Sequence, residues 1–290
     1  MGWKMIGREF IKDRLALFSL VLLVVILLVV FIGAFIINQD TIMNVNIFDK
    51  YAPPGSISTD TGKTFLLGAD EGGRDVLGQL IIGARNSITI GFAITIITSI
   101  IGVGIGIISG YFGGVVDIIL MRIVDFVMVL PTMMLIIVLV TVVPHYNVLT
   151  FVGIMSLFYW VGKARLFRSV TLSEVRRDYV SASKTLGTNQ LVIMFREVMP
   201  NLSSLIITNL TLNFAGNIGI ETGLSFLGFG LPANVPSLGT LIGFGSNGDV
   251  LQNKQWIWLP ASILIIVLML SINYVGEAIK RSADARQRLG

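Results

Sequence analysis

Long apolar runs without charge constrain this chain more than any other feature of its sequence. The first run, Leu15–Ile37, holds 23 residues and no Asp, Glu, Lys or Arg. A helix rises about 1.5 Å per residue, so about 20 apolar residues are needed to cross the roughly 30 Å hydrocarbon core of a bilayer. The run is too long for the core of a signal peptide, and no small-residue cleavage site ends it. It therefore predicts a retained membrane-spanning helix.

Composition extends this prediction to the whole chain. Only 13% of the residues are charged and 54% are hydrophobic, with a mean hydropathy of +0.83, whereas soluble proteins carry about 25% charged residues. The chain has no cysteine, which excludes disulfides, thiolate catalysis and cysteine-ligated metals. We expect an all-α polytopic membrane protein in contact with membrane lipid.

Six segments are long and apolar enough, or nearly so, to span a bilayer. They are Leu15–Ile37, Ser87–Gly110, Phe126–Val143, Val148–Gly162, Leu202–Ile220 and Ile257–Gly276. The fourth is short, and we expect its helix to continue past Lys163, with Lys163 and Arg165 extending to the membrane interface. The segments between and around the spans include 1–14, 38–86, 163–201, 221–256 and 277–290, and the transmembrane domain covers about 85–280.

The distribution of Lys and Arg predicts the orientation. With the N-terminus inside, 16 of the 21 Lys and Arg lie in segments on the inner side, and seven of these lie between Lys163 and Asn201. Both termini and the 163–201 loop are therefore predicted to be cytoplasmic, and 38–86 and 221–256 extracellular. Because orientation accounts for the net basic charge, we predict no nucleic-acid partner.

No catalytic or metal site is predicted. Gly62-Lys63-Thr64 resembles the end of a phosphate-binding P-loop, but Ile57 stands where that pattern requires its first Gly. His145, the one histidine, follows Pro144 in a short turn, and no set of nucleophile, base and carboxylate accompanies it. We expect this chain to be no enzyme and to hold no cofactor.

A polar row recurs every four residues along the fifth predicted span. It consists of Asn209, Asn213, Asn217 and Glu221. Polar side chains are costly in lipid and usually face a bundle interior or a water-filled cavity. The row therefore has two open explanations: it lines a path for a polar substrate, or it makes hydrogen bonds between helices.

Two further patterns concern helix packing. Gly102, Gly106 and Gly110 form a row of small residues that lets a second helix approach closely, and Gly104 lies beside it. Asp117, Arg122 and Asp125, near the inner end of the third span, are expected to form a local ion-pair cluster.

The cytoplasmic loop carries a recognisable motif. The run from Asp178 to Gly187, DYVSASKTLG, is followed by Val198-Met199-Pro200-Asn201. It resembles the EAA loop of ABC-importer permeases, whose pattern is Glu-Ala-Ala, three residues, Gly, nine residues, Ile, any residue, Leu-Pro. Ser181 stands where the Glu is expected, Ser183 replaces the second Ala and Met199 replaces the Leu. A helix that starts at Asp178 and ends with Gly187 as its C-cap is predicted.

Two more motifs specify the branch of that family. Leu67–Val76, continuing to Gly83-Ala84-Arg85, resembles the LGTDxxGRD…GAR motif of one branch. Leu224–Pro232, ending in Pro236-Ser237-Leu238-Gly239, resembles the LSFLGxG…PSWG outer loop, with Leu238 in place of the usual Trp. The chain is thus similar, over nearly its whole length, to the second permease subunit of dipeptide, oligopeptide and nickel ABC importers.

The resemblance implies a type I ABC importer permease fold in a bacterial cell membrane. It implies that the chain forms a heterodimer with a second permease. The further implied partners are two ATP-binding cassette subunits, which hold ATP and Mg, and an extracellular binding protein that delivers peptide. Residues 178–187 would form a coupling helix in a groove of the ATPase. The residues assigned to that contact are Asp178, Tyr179, Ser181, Ala182, Lys184, Thr185, Leu186 and Gly187.

Alternatives remain for the transported solute and for the class of protein. Nickel, glutathione or another small solute would also fit the family. A secondary transporter complete in one chain would need charges at mid-depth in the membrane, and the predicted spans are nearly free of them apart from Glu221.

Overall fold

Helices form most of the part of the chain that the structure, a computed structural model, describes. The described residues are 13–144, 146–232 and 234–287, of which Asp40 and 283–287 are described by their backbone alone. The helices are α1 (Arg14–Ile36), α2 (Gln39–Ile42), α3 (Val76–Phe112), α4 (Gly114–Val129), α5 (Thr132–Val142), α6 (Val148–Phe158), α7 (Val161–Glu174), α8 (Asp178–Thr185), α9 (Gln190–Ile193), α10 (Met199–Asn201), α11 (Ser203–Phe226), α12 (Leu238–Gly243), α13 (Gly248–Asn253) and α14 (Gln255–Gln287). Two segments, Ile47–Asp49 and Phe244–Ser246, are 3₁₀ turns, and Met194–Val198 is a π-helix. The β-structure of the described residues consists of isolated β-bridges alone.

Three helices are long and apolar enough to cross a membrane by themselves: α1, α3 and α14 as far as Ser282. Two pairs of helices, each bent at a short break, are further candidates if each pair counts as one span. They are α4 with α5 and Gln190–Asn201 with α11. The described residues thus contain three to five candidate spans by length and composition, and α6 is a shorter apolar helix of 11 residues. These helices confirm an all-helical polytopic membrane protein.

The predicted span Phe126–Val143 is not one straight helix. Helix α4 ends at Val129, and α5 begins after Pro131 with a bend of 78° between them. A proline has no backbone N–H and its ring clashes with the preceding turn, so a helix does not continue straight through it. The helix that contains Phe126 begins at Gly114, before the predicted start of the third span, and where that span begins stays a prediction.

Helix α3 is longer than predicted and lies at the centre of the bundle. It begins at Val76 rather than Ser87, because the Asp75 carboxylate accepts hydrogen bonds from the N–H groups of Leu77 and Gly78, at 3.2 and 3.1 Å, and caps the helix. Its most extensive neighbour is α7, and it also contacts α1, α6 and α11.

The glycine row of α3 is the surface on which α7 packs, as predicted. A Cβ built on Gly102, Gly106 or Gly110 would lie 2.6–2.7 Å from the carbonyl oxygens of Trp160, Ala164 and Arg168, respectively. These distances are shorter than van der Waals contact, so only glycine permits this separation of the two backbones. Gly104 faces open space and takes no part in the contact.

The segment before α3 is a folded module around a buried carboxylate. Asp70 is fully buried and accepts hydrogen bonds from Arg74 Nε at 2.8 Å, Gln79 Nε2 at 2.9 Å and the N–H of Gly72 at 2.8 Å. Gly73 has φ 72°, and a Cβ there would lie 1.9 Å from the carbonyl oxygen of Asn46. The first branch motif thus builds the turn that starts α3.

We expect Gly106→Ala to destabilise the fold and Gly104→Ala to leave it unchanged or slightly more stable. The added methyl of the first variant meets Ala164 O at 2.6 Å and Phe167 Cβ at 2.8 Å, whereas that of the second meets nothing within 4 Å. Overpacking of this kind costs about 1–3 kcal/mol. Thermal unfolding of both purified variants in detergent measures the difference, and equal midpoints would contradict the α3–α7 contact.

Candidate functional site

The predicted coupling helix is present as α8. It begins at Asp178, as predicted, and an acidic residue in the first turn with Lys184 in the last turn suits the helix dipole. Leu186 is the C-cap, and Gly187 follows it with φ 77°. Gly187 N–H bonds to Lys184 O at 3.0 Å and Thr188 N–H to Ser183 O at 3.1 Å, which is a Schellman motif. The prediction that Gly187 ends the helix is correct within one residue.

Most of the residues predicted to contact an ATPase are exposed on α8. The exposed residues are Asp178, Ser181, Ala182, Lys184, Thr185, Leu186 and Gly187, while Tyr179 is half-buried. Leu186 is 84% exposed, which is costly for a leucine in water unless something covers it. Their contact with an ATPase stays a prediction.

Four apolar side chains in residues 188–201 are also exposed and were not among the predicted residues. They are Leu191, Val192, Phe195 and Met199, of which Phe195 is the most exposed at 58%. Leu191, Phe195 and Met199 recur at intervals of four residues, a spacing that places side chains on one side of a helix. The spacing alone could not identify them, because Met194, Val198 and Leu202 have the same spacing and are buried.

Side-chain hydrogen bonds hold α8 to the neighbouring segments. Tyr179 Oη donates to Glu174 Oε1 at 2.9 Å and accepts from Asn201 Nδ2 at 3.0 Å. Ser183 Oγ lies 2.8 Å from both oxygens of Glu197 and donates to that carboxylate. Burial raises the pKa of Tyr179 to about 12, so its hydroxyl keeps its proton at neutral pH. The serine that departs from the EAA pattern at 183 therefore has a structural role.

A cation–π contact connects α8 with the end of α3. Lys184 Nζ lies 5.2 Å from the centre of the Tyr111 ring, within the range of such contacts. Tyr111 belongs to a buried apolar cluster with Phe167 of α7, Val180 of α8 and Val198 of the π-helix. The loop is thus packed against the ends of α3 and α7.

The expected ion-pair cluster on α4 has different partners. Arg168 Nη2 of α7 lies 2.6 Å from Asp117 Oδ2, and Arg165 pairs with Asp125. The prediction that Arg122 pairs with these carboxylates is wrong, because α7 runs beside α4 and presents its own arginines. These two pairs join the helix that leads into α8 to the helix after α3.

The polar row on α11 divides between two environments. Asn209 and Asn213 are half-buried and line a cavity of about 310 Å³, together with residues of α5, α6 and α7. Asn217 is 3% exposed and its Nδ2 donates to Thr95 Oγ1 of α3 at 2.8 Å. Glu221 is fully buried and accepts from Ser225 Oγ at 2.8 Å. Twelve residues rotate about 120° around a helix, so the row does not stay on one side.

The two explanations of the row therefore apply to different residues. Asn217 and Glu221 are in hydrogen-bonded packing, and Asn209 and Asn213 keep access to a cavity. A pore-lining role for any of the four stays a prediction.

Lys163 does not extend to the membrane interface. It is 4% exposed, and its ammonium donates a hydrogen bond to Thr98 of α3. It also lines the cavity of Asn209 and Asn213. A lysine at the end of an apolar run gives no local sign of whether it faces headgroups or a neighbouring helix, so the sequence did not reveal this position.

The segment after α11 folds back into the bundle at the second branch motif. Gly228 has φ 83° and ends α11, and Ser237 caps α12 through a reciprocal pair of bonds with Thr240. Leu238, where the family has Trp, is fully buried, and its N–H donates to Ser87 Oγ of α3 at 3.2 Å. His145 and residues 1–12, 233 and 288–290 lie outside the described residues.

Comparison with known proteins gives matches over nearly the whole chain. The family model of the binding-protein-dependent transport system inner membrane component matches residues 102–289. The model of the N-terminal TM domain of oligopeptide transport permease C matches residues 3–54. Together the two models leave residues 1–2, 55–101 and 290 unmatched.

Individual relatives agree with the family models. An oligopeptide transport system permease protein OppC of Lactococcus lactis subsp. cremoris is 51% identical over 282 residues, 97% of this chain and 94% of the relative. An OppC of Bacillus subtilis is 32% identical over 99% of this chain and 90% of its own length. A dipeptide transport system permease protein DppC of Haemophilus influenzae is 30% identical over 96% and 92%.

We expect Ser183→Ala to loosen the segment after α8, whereas Ser181→Ala serves as the matched control. The first change leaves Glu197 without its hydroxyl donor, which costs about 1 kcal/mol. Ser181 lies on the same helix with an exposed hydroxyl that has no partner among the described residues. Amide hydrogen exchange over residues 190–201 should be several-fold faster in Ser183→Ala than in the unaltered chain, and unchanged in Ser181→Ala. Equal exchange in the two variants would show that the bond to Glu197 is dispensable.

Proposed function

Since this chain belongs to the family of binding-protein-dependent transport system inner membrane components, we propose that it is a permease subunit of an ATP-driven peptide importer. Oligopeptides are the proposed substrates, because the relatives with the highest identity quoted above are named for oligopeptide transport. The chain is a membrane component with several spanning helices, and its relatives are permeases rather than enzymes. The single observation that carries the proposal is the 51% identity over 97% of the chain.

The proposed topology has six crossings, a type I fold and both termini in the cytoplasm. The crossings are α1, α3, α4 with α5, α6 with α7, α11 and α14. The charge distribution supports the orientation, since 16 of 21 Lys and Arg fall on the inner side. A combined α6–α7 unit, Val148–Glu174, is long enough to cross a bilayer.

The proposed partners are a second permease, two ATP-binding cassette subunits and an extracellular binding protein. ATP and Mg would be held by the cassette subunits, and this chain would contribute no cofactor. The exposed surface of α8 supports a contact with an ATPase, because Leu186 and Phe195 need a cover. Its bonds to Glu174, Glu197 and Tyr111 would transmit motion of the ATPase to α7 and α3.

Reconstitution tests the proposed function. The chain with its second permease, cassette subunits and binding protein, in liposomes, should accumulate a labelled oligopeptide only when ATP is supplied on the cytoplasmic side. The chain alone should transport nothing. Peptide uptake by the chain alone, or by the complex without ATP, would instead identify a secondary transporter and defeat the proposal.

A substitution at Gly187 tests the coupling role of α8. Gly187 has φ 77° with open space around it, so Gly187→Val strains the backbone without a clash, by about 1–2 kcal/mol. Gly187→Asn is the matched control, because Asn tolerates this conformation. We expect ATP hydrolysis to continue in the Val variant while uptake falls several-fold, at equal amounts of protein in the membrane. Normal uptake per ATP in that variant would show that the end of α8 is no part of the coupling.

A further inference from the structure

A buried lysine without a countercharge lies beside the cavity of Asn209 and Asn213. Lys163 is 96% inaccessible, and the one bond that its ammonium makes among the described residues goes to Thr98 Oγ1. In those same ranges no Asp or Glu lies within 4.0 Å of this ammonium. An ammonium has three donors, and a buried charge is costly unless an opposite charge or further hydrogen bonds compensate it. The site thus lacks an anionic partner.

The cavity beside Lys163 offers donors and no anion. Its volume is about 310 Å³, and its lining includes Thr132, Tyr159 and the first residues of α7 but no acidic side chain. Pockets for small ligands start at about 300 Å³, so the cavity accommodates the end of a molecule rather than a whole oligopeptide.

The two asparagines add one free donor and one free acceptor. Asn213 Nδ2 donates to the carbonyl oxygen of Asn209 at 2.7 Å and to Asn209 Oδ1 at 3.0 Å. Within the described part of the chain, Asn209 Nδ2 and Asn213 Oδ1 therefore keep no protein partner. The free donor matches a carboxylate oxygen, and the free acceptor matches a peptide N–H.

The predicted bounds of the second span, Ser87–Gly110, would place Lys163 at mid-depth in the membrane. Thr98 is 11 residues from Ser87 and 12 from Gly110, the ends of the predicted second span. At 1.5 Å per residue this places Thr98, and the ammonium bound to it, about 17 Å from either end. A fixed cation at this depth is rare and usually serves function rather than folding.

We propose that Lys163 and Asn209 form a subsite for the C-terminal carboxylate of a peptide in transit, with Asn213 accepting a backbone N–H. The inference rests on the proposed function as a peptide permease. Unmodified peptides of every sequence end in one carboxylate, so one fixed cation serves all of them without selecting side chains. The surrounding low dielectric strengthens the attraction relative to water.

Paired peptides test the subsite in the complete transporter reconstituted in liposomes. Two labelled peptides of one sequence, one with a free C-terminal carboxylate and one with a C-terminal amide, are compared in initial rates of ATP-driven uptake. Lys163→Met keeps the length and apolar stem of the side chain but removes its charge. It should lower the rate for the free acid about tenfold relative to the amide, the effect of one charge-assisted hydrogen bond.

Three control variants separate binding from packing. Lys163→Arg keeps the charge and should restore most of the preference for the free acid. Thr98→Val removes the hydrogen bond to Lys163 and should keep that preference. Lys280→Met, at an exposed lysine outside the cavity, should change neither rate.

Two results would overturn the inference. If Lys163→Met slows both peptides by the same factor, Lys163 serves packing only and the subsite is refuted, while the proposed permease function stands. If the unaltered complex imports neither peptide with ATP, the proposed function fails and the subsite fails with it.

Discussion

The close approach of α3 and α7 is the contact on which the other features of the bundle depend. Lipid chains are as apolar as leucine, so helices in a bilayer associate through packing and hydrogen bonds rather than by burying apolar surface from water. Gly102, Gly106 and Gly110 allow α7 to lie directly on the backbone of α3. This separation brings the Lys163 ammonium to Thr98 and the end of α7 to Tyr111.

The same contact explains how the segment that contains α8 is joined to the bundle. Helix α7 carries Arg168 toward α4 and ends at Glu174, which accepts a hydrogen bond from Tyr179 at the start of α8. Buried Val180 and Phe167 lie in one apolar cluster below that bond. A displacement of α8 therefore acts on packed side chains and charge-assisted bonds, which transmit force better than a solvated loop.

Polar side chains inside the bundle serve two purposes that the row on α11 illustrates. Asn217 donates a hydrogen bond to Thr95 and so holds α11 against α3. Asn209 and Asn213 instead lie at a cavity, beside the ammonium of Lys163, which has no countercharge among the described residues. Static packing accounts for the first group, because its hydrogen bonds are made within the chain. The second group also makes hydrogen bonds within the chain, but it keeps one donor and one acceptor free at the cavity.

The sequence alone determined the membrane environment, the helical class, the start of α8 and the glycine contact surface, because these follow from local composition and spacing. It also placed Gly187 at the end of α8, since a left-handed residue favours glycine. Only the tertiary structure decided the arginine partners of Asp117 and Asp125, the division of the asparagine row and the burial of Lys163. Those features depend on how each helix is rotated against its neighbours, and that rotation is fixed by contacts between residues far apart in the chain.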